Sequence, residues 1–296
     1  MSKNSNNTDS LMQIIIKKLS RDENAKYCNK KCKNWINNEN HWDEEFIDSE
    51  KFAEDIVSIV KTQTEDEQII YSKTIEKRER NNISIVKKDN KAFVYRGEEL
   101  LERLIQILNK DMLGNQIIPK LNKPGKQLID LAEFKNNDLI KIIELKILIK
   151  SETNKVTANT PLFTVIELIK NYFLCGGEKS NINELILLAP NNYCNYDKFK
   201  LSNNEKFKRL LKNLSNILKL KISAKCININ YDKWQNEVEH KIEEYRKNNQ
   251  YKWNKPTKKQ TERYDFKIEI DLNDFYKSNK LELNKLKIDK WEEICN

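Results

Sequence analysis

The 296-residue sequence contains only two histidines, five glycines and five prolines, and each scarcity removes a kind of chemistry. His41 and His240 stand far apart and no Ser-His-Asp pattern occurs, so histidine-based catalysis has little to build on. The few glycines form neither a P-loop nor a dinucleotide-binding fingerprint. No run of about 18 apolar residues occurs, so no membrane span is expected. The N-terminal MSKNSNNTDS lacks a signal-peptide pattern. The six cysteines are scattered and suggest no disulfide framework in so large a chain, so a cytoplasmic protein is expected. Cys28 and Cys32 with His41 hint at zinc, but a fourth ligand at the usual spacing is missing; reduced cysteines on a helix are the expectation.

What the chain has in quantity is charge. Charged residues make up 33% and hydrophobic ones 38%, with a net charge of +9. The mixture indicates a soluble protein with a full-sized core. The excess of Lys, Asn and Ile is explained by an AT-rich coding sequence, or by attraction to nucleic acid, which the uneven placement of charge supports. Residues 39–67 hold eleven acids against Lys51 and Lys61. Phe52, Ala53, Ile56, Val57 and Val60 form a helical stripe there, so an amphipathic helix with a solvated acidic face is expected. Residues 247–263 hold six Lys or Arg and one acid, with Tyr251 and Trp253 interleaved. Such a segment suits a phosphate backbone with aromatics free to stack on bases, or else a solvated loop.

The informative stretch runs from Gln127 to Lys150: QLIDLAEF, then KNND, then LIKIIELKILIK. It reads as two apolar strands around an Asn-Asn-Asp turn. Asp130, Glu144 and Lys146 sit inside those apolar runs. Strand side chains alternate, which places Ile140, Ile142, Glu144, Lys146 and Leu148 on one face and Leu139, Lys141, Ile143, Leu145, Ile147 and Ile149 on the other. Both faces are apolar, so a central strand covered on both sides is expected. Charges buried there must be paired, coordinate a metal or line a cleft. A turn centred on Asn137 puts Asp130 opposite Glu144, with Cβ atoms about 4.5–5.5 Å apart. A two-residue turn at Asn136 and Asn137 would pair Asp130 with Ile143 and send it to the wrong face, so an odd loop is expected.

Asp130 followed, after thirteen intervening residues, by Glu144-Leu145-Lys146 resembles the Asp…(D/E)-x-K signature of the PD-(D/E)XK nuclease superfamily, although Ile129 stands where the family has its proline. The resemblance implies an α/β, restriction-endonuclease-like αβββαβ core with a mixed central sheet flanked by helices. It also implies Mg²⁺, or Mn²⁺ in its place, bound by Asp130, Glu144 and the Leu145 carbonyl. Lys146 would position the attacking water at a phosphodiester, and Glu98 is the better match, ahead of Glu102, for the family's helix glutamate. The implied activity is metal-dependent hydrolysis of nucleic acid, DNA foremost, in restriction, repair or defence. The alternative is a catalytically inactive nucleic-acid-binding or structural protein on the same fold, and a homodimer or partner protein is compatible with either.

The flanking elements follow that order. A short helix carries Leu11, Ile14, Ile15 and Leu19, and Ile83–Val86 with Ala92–Tyr95 read as a small hairpin. Gly97 opens an amphipathic helix through Leu100, Leu101, Leu104, Ile105 and Leu108. Residues 115–126 read as a loop or short strand. Thr160 caps a helix with Pro161 at its first turn and Leu162, Val165, Ile166, Ile169 and Phe173 on one face, leaving Glu167 and Lys170 to solvent. Leu185–Ala189 reads as a buried strand, 205–218 as a helix, Lys221–Ile229 as a strand, and 264–272 as a further strand. The expected division is an N-terminal, mostly helical region (1–82), a nuclease-like core (83–231) and a basic C-terminal extension (232–296). In that extension Lys252, Trp253, Lys255, Lys258, Lys259 and Arg263 are the expected nucleic-acid contacts.

Overall fold

The computed structural model describes residues 11–21, 36, 38, 45–71, 75–76, 91–94, 97–109, 112–119, 129–136, 138–150, 156–157, 159–236, 240, 268–271, 277–278 and 282–295. Its elements begin with α1 (Leu11–Arg21), α2 (Glu50–Tyr71), β1 (Ile75–Glu76), β2 (Lys91–Val94) and α3 (Gly97–Leu108). Then come β3 (Met112–Pro119), β4 (Ile129–Lys135), β5 (Asp138–Leu145), β6 (Ile149–Lys150) and β7 (Val156–Thr157). They end with α4 (Pro161–Leu174), β8 (Glu184–Pro190), α5 (Asn191–Cys194), α6 (Glu205–Leu218), β9 (Lys221–Ile227), β10 (Ile268–Asp271) and β11 (Glu292–Cys295). Among the described residues no helix is long and apolar enough to cross a membrane.

Seven strands form one mixed sheet in the order β1-β3-β4-β5-β8-β9-β11. The strands from β1 to β5 pair antiparallel, β5, β8 and β9 run parallel, and β11 closes the edge antiparallel. The parallel steps follow from the sequence: α4 carries the chain from β5 to β8, and α6 carries it from β8 to β9. Every residue of β8 is buried, Glu184 at its start included, and the apolar run that follows suits a strand covered on both faces. One face of the sheet is covered by α4 and α6, with α2 packed on both and α1 on α2; Phe52, Ile56, Val165, Ile169, Phe207 and Leu211 lie in this core. The other face packs against α3 and the C-terminal residues, through Leu101, Leu104, Trp234, Leu283, Leu286 and Trp291.

Several local expectations are met. Thr160 caps α4, its hydroxyl accepting from the Phe163 N–H, a bond worth about 1 kcal/mol. Phe207, Leu210, Leu211, Leu214 and Leu218 are the buried stripe of α6. In α2 Phe52, Ala53, Ile56 and Val60 are buried. On the outer side of this region Lys51 pairs with Asp55 in α2, and Asp48, just ahead of α2, pairs with Arg209 of α6.

Within the described residues β2 pairs antiparallel with β10, joining the strand around residue 93 to the one around 269, while residues 83–86 lie outside the described residues. The stretch from residue 115, expected as a loop or short strand, opens inside the eight-residue strand Met112–Pro119, which is interrupted by a register shift between Gly114 and Ile117.

The turn of the central hairpin is the instructive correction. Lys135 pairs with Asp138, so only two residues separate β4 and β5, and Asn136 takes a positive φ of 52°. Asparagine tolerates that left-handed conformation because its short amide bonds locally. The even turn should set Asp130 on the wrong face. Instead the register shifts: Phe134 faces Leu139 but Glu133 faces Lys141, so Ile140 is an extra residue, a β-bulge. From Lys141 onward the pleat is reset. Leu139 therefore shares a core with Ile142, on the α4 face, and not with Ile143 as simple alternation would have it. The ladder then runs Ala132–Ile142 and Leu131–Ile143, and its next step sets Asp130 against Glu144.

Candidate active site

The bulge delivers the two carboxylates to one place. One step past the last ladder pair, Asp130 Oδ2 accepts the Leu145 N–H at 2.9 Å, so the aspartate is fixed by the backbone of the strand it faces. β5 ends at Leu145, but its neighbour continues the sheet, with the Lys146 N–H donating to the Leu188 carbonyl at 2.9 Å. Lys146 is thus held at the parallel end of the central strand. Its Nζ lies 3.3 Å from Glu144 Oε2 and 3.8 Å from Asp130 Oδ2.

A third carboxylate joins them from α4. Glu167 Oε2 is 3.1 Å from Lys146 Nζ, and Glu167 Oε1 is 3.8 Å from Lys170 Nζ. One helical turn on, Asn171 donates its amide to Glu144 Oε1 at 2.5 Å. Glu167, Lys170 and Asn171 occupy positions i, i+3 and i+4 and so share a helix face. Glu167 and Lys170 are not solvated as expected: Lys170 is buried and Glu167 points at the sheet. Sequence reasoning treated α4 as one-sided, whereas it is buried all round between β5, α2 and β8. The signal was present, since apolar residues lie on nearly every side of PLFTVIELIKNYFL, the mark of a buried helix whose few polar residues must find partners.

Exposure divides the site into a front and a back. The side chains of Asp130 and Glu167 are 24% and 20% exposed, that of Lys146 11%, and that of Glu144 2%. Solvent therefore reaches Asp130, Glu167 and the edge of Lys146, with Glu144 behind them.

The electrostatics follow from three carboxylates facing two ammonium groups. Burial, and then the charges of Asp130 and Glu167, push the Glu144 carboxyl well above the usual carboxylate range, only partly opposed by Lys146. Burial alone would lower Lys146, but Glu167, Glu144, Asp130 and Glu98 together hold it well above the usual lysine value. Burial would raise Glu167, yet Lys146 and Lys170 bring it below the usual range. The half-buried Glu98, at the start of α3, thus acts on Lys146 through its charge. Glu102 is buried beside Arg103, 3.6 Å away.

No protein-family model, curated protein or solved structure matches the chain. The residues themselves therefore carry the functional reading. Of the expected site residues, Asp130, Glu144 and Lys146 converge, with Leu145 between two of them and Glu98 within electrostatic reach. Lys252, Trp253, Lys255, Lys258, Lys259 and Arg263 lie outside the described residues, as do Cys28, Cys32 and His41.

The donor chemistry is suited to a hard cation: carboxylate oxygens and a backbone carbonyl, without sulfur or imidazole among the residues named. Among the described residues no three His, Cys, Asp or Glu side chains are gathered tightly enough to enclose a metal alone. Mg²⁺ does not need such a cage, since it is held through one or two carboxylates and keeps several waters. Asp130, Glu144 and the Leu145 carbonyl fit that requirement.

Proposed function

We propose that the protein is a Mg²⁺-dependent phosphodiesterase acting on nucleic acid, DNA foremost, on a restriction-endonuclease-like fold. The observation that carries this reading is the convergence of Asp130, Glu144 and Lys146 at the end of the central parallel strand, secured by a bulge that the turn alone would not require. The order α3-β3-β4-β5-α4-β8 supports it, being the helix and strand succession expected of that fold.

Asp130, Glu144 and the Leu145 carbonyl would hold the ion, which supplies Lewis-acid polarisation of the phosphate and a more acidic bound water. Asp130 is presented to solvent and held in place by the Leu145 N–H, so it meets the ligand without reorganising. Lys146 neutralises negative charge developing on the phosphoryl oxygens or holds the attacking water. Glu167 acts through Lys146, fixing its ammonium, and Asn171 acts through Glu144, fixing its carboxyl rotamer. The basic residues from Lys252 to Arg263 would contribute affinity for the phosphate backbone.

A second reading is favoured by one observation. Glu144 is almost sealed, and each of its oxygens has a partner, Asn171 or Lys146. A polar network of that kind also suits a non-catalytic nucleic-acid-binding or structural protein. Glu144→Gln separates the two readings, because it keeps the size of the side chain and an oxygen for Asn171 but removes the ligand charge. For the enzyme, cleavage of a DNA duplex or single strand in Mg²⁺ is expected in the parent, absent in EDTA, and lower by at least about a hundredfold in the variant. No Mg²⁺-dependent cleavage by the folded parent, on DNA or RNA, overturns the phosphodiesterase reading.

A further inference from the structure

α6 and the loop leading into it carry charge of one sign. From Lys198 to Lys221 the chain holds eight Lys or Arg and one acid, Glu205, whereas the whole sequence holds 54 against 45. Phe207, Leu210, Leu211, Leu214 and Leu218 are buried, so the charges take the outer side of the helix. Lys198, Lys200, Arg209, Lys212, Lys219 and Lys221 are exposed, with Lys206 and Lys208 half-buried.

An AT-rich coding sequence does not explain this placement, because it acts on every helix alike. The neighbouring α2, which packs on α6, shows the opposite sign: exposed Glu50, Glu54 and Glu65, with Asp55, against Lys51 and Lys61. Helix stability does not explain it either. Lys206 lies in the first turn of α6, where the helix dipole disfavours positive charge. Local ion pairs absorb only part of the charge. Arg209 is 2.6 Å from Asp48, Lys208 2.8 Å from Glu205, Lys221 2.5 Å from Glu293 and Lys200 3.8 Å from Asp197. Among the described residues no acid pairs with Lys212 or Lys219. Lys208, Lys212 and Lys219 are spaced four and seven residues apart, which lines them up along one side of the helix. At 1.5 Å per residue that line is about 16 Å long, the length of roughly five nucleotides of one duplex strand.

A surface of this kind suits a polyanion, and its apolar residues narrow the choice. A helix that lies in a membrane surface inserts an apolar face. That of α6 is buried in the core, and Ile217 is the one exposed large apolar residue among the described residues. Unpaired bases gain nothing here, since Phe199 and Phe207, the aromatics of this stretch, are buried and have no face to stack on them. Dense phosphate remains. A duplex offers one charge per about 1.7 Å of its axis, twice the density of a single strand.

We infer that the outer face of α6, with Lys198 and Lys200 before it, binds the phosphate backbone of duplex DNA without choosing among bases. The inference rests on the phosphodiesterase reading for nucleic acid as the partner, and it names the duplex as that activity's substrate. α6 lies on the same face of the sheet as α4, whose Asn171 meets Glu144. It starts from the end of β8, the end at which Lys146 bonds to Leu188. The basic face adds affinity there and takes no part in the chemistry.

The test measures binding of a short mixed-sequence duplex, and of each of its strands, to the full chain in EDTA across a range of salt. The duplex should bind more tightly than either strand. The variant with Lys198→Gln, Lys206→Gln, Lys212→Gln and Lys219→Gln should bind it at least about tenfold more weakly at moderate salt, with a salt slope lower by roughly three to four. A control with Lys233→Gln, Lys285→Gln, Lys287→Gln and Lys290→Gln loses the same charge on the opposite side of the sheet, around Trp234 and Leu286. Its slope should change by less than about one. Should the first variant not fold, Lys212→Gln with Lys219→Gln carries the test, with a slope lower by about two. A folded α6 variant with the parent's slope overturns the inference, as does an equal loss in the control, which would make the attraction one of net charge. Tighter binding of a single strand overturns the duplex, and binding to phosphatidylserine vesicles without binding to the duplex overturns nucleic acid. Cleavage of the same duplex in Mg²⁺ is scored separately. Cleavage by the parent with no effect of the α6 changes on binding removes the basic face and keeps the phosphodiesterase. The expected loss of binding, in a parent that does not cleave, removes the phosphodiesterase and keeps a duplex-binding face.

Discussion

Lys146 Nζ stands closer to Glu167 of α4, at 3.1 Å, than to Glu144 at 3.3 Å or Asp130 at 3.8 Å on the hairpin. A residue outside the Asp…Glu-x-Lys pattern thus holds the lysine most directly. Glu167→Gln should leave substrate affinity close to the parent and lower kcat about 10–100-fold, the usual cost of losing a group that orients another. Glu167→Asp should recover part of that loss by keeping the charge. A kcat in Mg²⁺ equal to the parent for Glu167→Gln would show that Lys146 needs no orienting partner.

Asn171 should prove necessary for stability as well as for activity. Asn171→Leu keeps the size of the side chain but leaves Glu144 Oε1 buried without its donor, at a cost of about 1–3 kcal/mol. Urea unfolding should show a lower midpoint with an unchanged slope. A midpoint equal to the parent would mean that solvent or a rearranged Lys146 satisfies the freed oxygen.

At the other end of the parallel strands, Glu184 anchors a separate group of charges. Its carboxylate lies 3.0 Å from Lys225, 3.5 Å from Lys141 and 3.8 Å from Lys221, and accepts from Ser223 at 3.2 Å. Burial would raise its pKa, but the hydrogen bond and charge of Lys225, with the charges of Lys141 and Lys221, bring it below the usual value. A carboxyl whose folded pKa is depressed stabilises the protein above its unfolded pKa, and that contribution is lost as pH falls through the folded value. Glu184→Gln should therefore be less stable at neutral pH and lose less on acidification below about pH 4.5. Parallel stability curves for parent and variant across that window would contradict this.

The bulge makes an unusual deletion tolerable. Removing Ile140 leaves Lys141 directly after Leu139, with Glu133 still opposite Lys141 and Asp130 still one step beyond Leu131 and Ile143. The faces of Leu139 and Ile142 also remain matched. The deletion loses the bond from the Asn183 N–H to the Ile140 carbonyl, about 1 kcal/mol, and should otherwise keep fold and cleavage. Loss of both fold and cleavage would show that the bulge's local twist, and not register alone, sets the site.

The sequence made the hairpin and its three charges readable because buried charges in apolar strands are rare enough to stand out. The register was right for a reason the sequence did not show. Turn length and strand alternation contain no term for an extra residue, and Ile140 looks like any other apolar strand residue. Glu167 and Asn171 were missed because α4 was read as a surface helix. Its burial depends on α2, a helix about a hundred residues earlier in the chain that covers its far side, and no local pattern reports that. The pairing of β2 with β10 was missed for the same reason, since strand partners far apart in sequence leave no local trace.

Asp130, Glu144, Lys146, Glu167 and Asn171 all fall within the contiguous stretch from β4 to α4, whereas the sheet is closed at β9 by β11, from the last residues of the chain. Short loops close at little entropic cost and long-range strand pairings form late. During synthesis the acidic cluster can therefore assemble while the open side of β9 still presents an unpaired edge, the most aggregation-prone feature of a half-built sheet. β11 is thus the element that must pair before that edge is protected.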